Sequence, residues 1–298
     1  MQVFPASGAV TRFGPRFDPV GSVALGESFV LETADCYDGQ FTSADVLRPD
    51  IDMARFNRAT GPVRVDGVEV GDGVVVRVER IDVRGPGVMA VAPGLGVLGG
   101  QVAQPSTRLL PVRDGHAWLT PQIGVPLAPM VGILGIATAA ETVATSVPGA
   151  HGGNLDTRLL REGAAVAFRA HQPGLGLAAG DVHAAMGDGE LGGTGIEIAG
   201  RVQLSVERYT GPVGSWPLLF ADDAVHVLAS AADVDTAVRA GFGEAVALVA
   251  GAHGLAWPDA YRLASVVCDV QVSQLVNPRV TVRVRVPRRW CPGVWPEA

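Results

Sequence analysis

Lysine is absent from this chain: all 23 of its basic residues are arginine. That removes mechanisms built on a lysine amine, among them Schiff-base catalysis, a phosphate-loop lysine, a Ser-Ser-Lys amidase triad and a nitrilase-type Cys-Glu-Lys triad. Cysteine is scarce as well. Cys36, Cys268 and Cys291 show no CxxC spacing and an odd count, which predicts reduced thiols in a cytoplasmic protein. Aromatic residues are only 6% of the chain, so the core is expected to be built from Val, Leu, Ala and Ile. No uninterrupted membrane-length apolar run occurs. The most apolar stretch, 123–140, is broken by Gly124, Pro126, Pro129, Gly132 and Gly135 and reads as buried loop and short strand, so no membrane partner is expected. The start, Met1-Gln-Val-Phe-Pro5, lacks the charged and apolar regions of a signal peptide. The formal net charge is -7 and no basic patch suggests nucleic acid as a partner.

What is present describes a well-buried globular chain. It has 298 residues, 48% hydrophobic and 18% charged, with no internal repeat and no low-complexity linker. A single domain over 1–298 is expected. The 39 glycines and 21 prolines point to many turns and to β structure. Ser28–Thr33, Gly73–Val83, Ala164–Arg169 and Ile196–Val206 carry strand patterns. The fold class predicted is mainly β, with a β-sandwich or jelly-roll-like core and a helical excursion over about 222–265. Within that excursion Asp233–Gly251 has helical spacing, with Asp in the first turn and Gly at its end, and Pro258 opens a second helix. Beyond it, 266–286 returns to strand. Arg279, Arg283, Arg285, Arg288 and Arg289 punctuate that end, and the alternation predicts a solvated or subunit-facing strand. Val-rich strands of this kind can pair edges across a two-fold, so a homodimer is expected.

Chemistry concentrates in two stretches, His151-Gly-Gly-Asn154-Leu-Asp156 and Gly180-Asp181-Val-His183 through Asp188-Gly-Glu190. Two histidines, four carboxylates and an asparagine stand there on glycine-rich backbone that can turn sharply. A core segment would not carry this charge without partners. The pattern predicts a divalent-metal hydrolytic centre. His183 is the imidazole ligand, Asp181 shares its strand face, and His151 and Asp156 are further candidates. Asn154 is a candidate to hold a substrate carbonyl. Asp188 and Glu190 are catalytic candidates, with Glu190 favoured as general base beside an activated water. Asp188-Gly-Glu190 has part of a calcium-loop pattern but lacks its other positions, which excludes an EF-hand. Upstream, Asp35-Cys36-Tyr37-Asp38 forms a second polar knot. Asp35 is a candidate ligand or orienting carboxylate. Cys36 is an alternative, metal-free nucleophile if a histidine lies beside it.

These residues resemble the acetamidase/formamidase family. The resemblance rests on Asp35; on Thr60-Gly-Pro-Val-Arg-Val-Asp-Gly67 through Gly71-Asp72; on Pro148-Gly-Ala-His151-Gly-Gly-Asn154-Leu-Asp156; on Gly180-Asp-Val-His183 through Gly187-Asp-Gly-Glu190; and on Gly195-Ile-Glu197. It implies hydrolysis of a short aliphatic amide to ammonia and a carboxylate, zinc as the metal with calcium as the alternative, a β-sandwich-like fold and dimers. Two departures stand out: Val68 replaces an alanine, and Arg169-Ala-His171-Gln-Pro-Gly174 replaces an apolar stretch near the motif. The second bears on the acyl pocket. Two other outcomes stay open, a γ-lactam as substrate and a non-catalytic relative that binds a small polar ligand.

Overall fold

Valine runs set the architecture. The computed structural model describes residues 1–296; residues 297 and 298, the end of the expected domain, lie outside the described residues. Val74, Val75, Val76 and Val78 are all buried, so this strand is covered on both faces rather than on one. It runs from Gly73 to Val91, well past the expected end at residue 83. Glu197–Arg208 pairs antiparallel with it along most of its length, while Ala165–Arg169 and Ser106–Leu110 pair with its two ends.

From this spine the sheet extends both ways. One arm runs through Leu177–His183 and Met130–Gly135 to Gly152–Asn154. The other runs through Ala165–Arg169, Leu218–Ala221, Ala224–Ala231 and Val280–Pro287 to the edge strand Asp269–Gln274. The motif residues therefore sit on one arm and the helices on the other. The mainly β expectation is met. Sixteen strands form one branched network, with a separate three-stranded sheet and a two-stranded pair beside it.

The main core is aliphatic, as the low aromatic content requires, with Leu31, Val63, Leu134, Val182 and Val202 among its members. A second cluster joins Val225, Val227 and Val284 of the sheet to Ala245, Val246 and Val249 of helix α1 (Val234–His253). Asp233 caps α1 by accepting the Thr236 N–H, and Gly254 ends it in left-handed conformation. Midway, Gly241 lets α1 lie close on the sheet: a Cβ there would stand 3.0 Å from Val284 and 3.1 Å from Ala229. Helix α2 (Trp257–Val267) follows, with Pro258 in its first turn. The helices thus fill 234–267. The start of the expected excursion is instead the strand Ala224–Ala231, an apolar run clamped between two partners.

Arg283 corrects a further expectation. It lies on Val280–Pro287 but is 1% exposed, held by Asp188, Gln271 and the Val272 carbonyl rather than by solvent. Among the described residues, no helix is long and apolar enough to cross a membrane.

Candidate functional site

Strand pairing carries the two motifs to one point. Ile133 is opposite Asn154 on one side and opposite Gly180 on the other. Met130–Gly135 thereby sets the chain leading to Asp156 beside the strand that bears Asp181 and His183. Beyond that strand, His183 is directly opposite Glu197. The N–H groups of Leu155 and Asp156 both donate to the Gly132 carbonyl, at 3.0 and 3.2 Å. Gly132 marks the crossing: a Cβ there would stand 2.5 Å from Asp156 Oδ1 and 2.7 Å from Asp181 Oδ2. Asp156, Asp181 and Glu190 all adopt positive φ, at 38°, 54° and 46°. Non-glycine residues rarely do so, and such strain concentrates where function demands a particular side-chain direction.

His183 is the hub, and it is fully buried. Its Nε2 lies 3.1 Å from Glu197 Oε2, 3.4 Å from Asp181 Oδ1 and 4.0 Å from Asp156 Oδ1. Two adjoining donor sets lie here. Asp156, His183 and Glu190 bring ligand atoms within 4.8 Å of one another, and so do Cys36, Asp181 and Glu197. All six side chains are buried.

Such a concentration of buried carboxylates is electrostatically unfavourable unless it is neutralised. Burial, then the neighbouring Asp181, pushes Asp156 up to about 7. Burial raises Glu197 to about 8, with His183 opposing and Asp181 adding. Glu190 lies well above the ordinary carboxylate range through burial and the charge of Asp156. Burial disfavours a charged His183, yet Glu197 and Asp181 outweigh it and hold the imidazole proton tightly. The cluster thus competes for positive charge.

The donor atoms also fit a cation. His183 Nδ1 and Nε2, Asp156 Oδ1, Asp181 Oδ1 and Glu197 Oε2 are buried and make no hydrogen bond. Even the 3.1 Å approach of His183 to Glu197 is not aligned as one. Buried polar atoms are nearly always paired, so the orphan carboxylate oxygens grouped around His183 Nε2 are chemically incomplete. An imidazole nitrogen among carboxylates suits zinc better than calcium, which takes oxygen ligands alone.

The other expected residues separate. His151 belongs to neither donor set. It packs at 5.2 Å on Phe13 with its Nε2 unpartnered, and burial, then His171 and Arg279, lowers it to about 4. Asp35 also lies outside both sets; its Oδ1 accepts the N–H groups of Tyr37 and Gly39, and burial raises its pKa. Asn154 is buried with Oδ1 unpartnered. Asp188 has both oxygens bonded to Arg283, and Arg158 approaches at 3.2 Å. Both oxygens of Asp188 are thus engaged in an ion pair, and Asp188 belongs to neither donor set. Burial, then Glu197 and Asp181, raises the Cys36 thiol well above its ordinary range, the reverse of what activates a nucleophile.

Sequence reasoning under-weighted Asp181 and Glu197, although both stand in the quoted motifs. It missed Asn277, whose Nδ2 donates to Asp156 Oδ2 at 2.6 Å across 121 positions. No local pattern signals that contact.

The chain is similar to known proteins over most of its length. The model of the Acetamidase/Formamidase family matches residues 6–141 and 85–216. A crystal structure of an acetamidase from Bacillus halodurans superposes with TM-score 0.94 at 34% identity, covering 97% of this chain and 98% of the other. A predicted acetamidase/formamidase from Thermoanaerobacter tengcongensis gives TM-score 0.93 at 35% identity, covering 97% and 96%. A formamidase from Methylophilus methylotrophus is 26% identical over 254 residues, 65% of this chain. The match spans only 62% of that relative's own length.

Proposed function

The chain belongs to the acetamidase/formamidase family, and from that premise we propose that it hydrolyses a short linear amide, of the formamide or acetamide type, to ammonia and a carboxylate with a divalent metal as cofactor. One observation carries this reading: the unpartnered, buried donor atoms that surround His183. A purely structural or ligand-binding relative has no need to keep such a charge-deficient cluster.

Zinc is the favoured ion. His183 and Asp156 would hold it, with Asp181 and Glu197 within reach from the adjoining set. When bound, such an ion acts as a Lewis acid, polarising the amide carbonyl and offsetting the buried negative charge.

The chain's own residues then have distinct tasks. Glu190 stands against Asp156 and His183, and burial, then the charge of Asp156, makes it a stronger proton acceptor than an ordinary carboxylate. Its carboxylate takes the proton of the attacking water as the water oxygen bonds to the carbonyl carbon. It then delivers that proton to the amide nitrogen as the C–N bond breaks and ammonia leaves. Asn154, buried two residues before Asp156, would turn its side-chain N–H to charge developing on the carbonyl oxygen. Burial of the cluster excludes bulk water and strengthens each of these interactions. Cys36 keeps its proton and is not the nucleophile.

The three free cysteines fit a cytoplasmic enzyme, and all 298 residues are read as one domain. A homodimer would form through the edge strand Asp269–Gln274. Among the described residues its outer side meets only Gly189, bonded at Ser273 and Leu275.

The test is ammonia release from formamide, acetamide, propionamide and a γ-lactam, before and after chelation, with zinc added back. Release that vanishes on chelation and returns with zinc is the expected result. Release that survives complete metal removal overturns the metal reading. No release from any of the four amides with zinc present overturns the activity.

A further inference from the structure

A turn from the far end of the sheet reaches into the candidate centre. It begins at Gln274, the buried last residue of Asp269–Gln274. Gln274 Oε1 accepts the N–H groups of Val276 and Asn277, each at 2.9 Å. Its Nε2 donates to the Arg279 carbonyl at 2.6 Å and to Thr281 Oγ1 at 3.0 Å. Four hydrogen bonds from one amide thus fix both ends of the segment that presents Asn277.

Asn277 spends its own amide on the site. Nδ2 donates to Asp156 Oδ2 at 2.6 Å and to the Asn154 carbonyl at 3.1 Å. The other oxygen of the same carboxylate, Oδ1, has no hydrogen bond and faces His183 Nε2 at 4.0 Å. Asp156 itself has positive φ, an uncommon conformation for a non-glycine residue.

We infer that Asn277 is a positioning residue for Asp156: it tethers Oδ2 so that Oδ1 alone is offered to the cation. An untethered carboxylate can turn about its last torsion and present either oxygen, or both. Partners behind a ligand restrict that freedom, and their removal costs about 10–100-fold in metal affinity or activity. Asn277 carries no charge, so it orients Asp156 without competing for the cation. The bond to the Asn154 carbonyl also locks the two motif residues to the same turn. This inference rests on the reading of Asp156 as a zinc donor.

The experiment compares wild type with Asn277→Ala, which removes the donor without bulk, and Asn277→Leu, which keeps the volume of the turn. Zinc affinity is measured by competition with a chromogenic chelator, and kcat and KM at saturating zinc. Folding is confirmed by circular dichroism. Expected are zinc binding weakened about 10–100-fold and a lower kcat with KM for the amide little changed. Zinc held as tightly as in wild type by a folded variant overturns the inference. Wild type that binds no zinc overturns the inference and the metal reading together, and is seen before any variant is made. Wild type that binds zinc but hydrolyses no amide sinks only the proposed activity; the affinity comparison still decides on Asn277.

Discussion

Arg283 closes on Asp188 with two guanidinium nitrogens on two carboxylate oxygens, at 2.8 and 2.5 Å, two residues before Glu190 in sequence. The pair bridges the edge of the helical arm to the loop that carries the proposed general base. Gly189, between Asp188 and Glu190, is itself bonded to Ser273 and Leu275. The loop is thus held by charge and by backbone together.

Replacing Arg283 with methionine leaves Asp188 without its main partner. Breaking a fully buried pair costs about 3–5 kcal/mol, and the partial exposure of Asp188 brings the expectation down to about 2–3 kcal/mol. Urea unfolding measures it. Adding Asp188→Leu to the same protein should recover part of the loss, because no uncompensated charge remains; a double variant worse than the sum of the singles would contradict this account.

Glu190→Gln keeps the shape of the side chain and removes its proton exchange. Turnover should fall about 10²–10⁴-fold. Bound zinc, counted by mass spectrometry of the purified protein, should stay stoichiometric. Zinc lost along with turnover would move Glu190 from proton carrier to ligand.

Gly132→Ala tests the crowding at the crossing. Its Cβ would press on the carboxylates of Asp156 and Asp181 at once. Displacement of about 1 Å at a catalytic group costs roughly 10²-fold, so kcat should fall by that order. Near-normal kcat would mean the cluster tolerates rearrangement.

His226 links acid to stability. It is buried on Ala224–Ala231 with neither ring nitrogen hydrogen-bonded, and burial, then Arg283, lowers it to about 4 from an ordinary 6.5. The unfolded chain therefore takes up a proton that the folded chain refuses. The contribution works against the fold as pH drops from 6.5, and the full penalty is reached below about 4. It amounts to on the order of 3 kcal/mol. His226→Leu should show a correspondingly smaller loss of unfolding free energy between pH 7 and pH 4. An identical pH dependence in the two proteins would acquit this histidine.

Dimerisation through Asp269–Gln274 predicts a dimeric mass by sedimentation for wild type. Val270, exposed on that strand, would face its own copy near the two-fold axis. Val270→Asp should then shift the population to monomer through like-charge contact. A dimer unaffected by the change places the interface elsewhere.

The parts legible in the sequence are those whose partners lie close along the chain or whose pattern is periodic. The valine runs announced the spine, Asp233 and Gly254 bracketed α1, and the glycine-rich motifs put Asp156, Asp181, His183 and Glu190 in view. Sequence proximity misled where topology intervened. Asp188 stands beside Glu190 in the motif, yet its ion-pair partner lies 95 positions away, and no local pattern announces that pair. Arg283 resembled a solvated charge because its alternation is that of any half-exposed strand. His151 is near Asp156 in sequence, but the backbone turn between them directs its ring to Phe13. Asn277 carried no signal, since its role exists only once two distant strands have been laid side by side.

The strand Gly73–Val91 has one more consequence, for how the molecule comes apart. Nineteen residues of extended chain reach about 60 Å, and both arms of the sheet are joined through it. Amide hydrogens along its centre can exchange with solvent only when both arms open, so they should be the slowest in the protein and report global unfolding. The helices and the buried cluster around His183, though far apart, should then share one calorimetric transition.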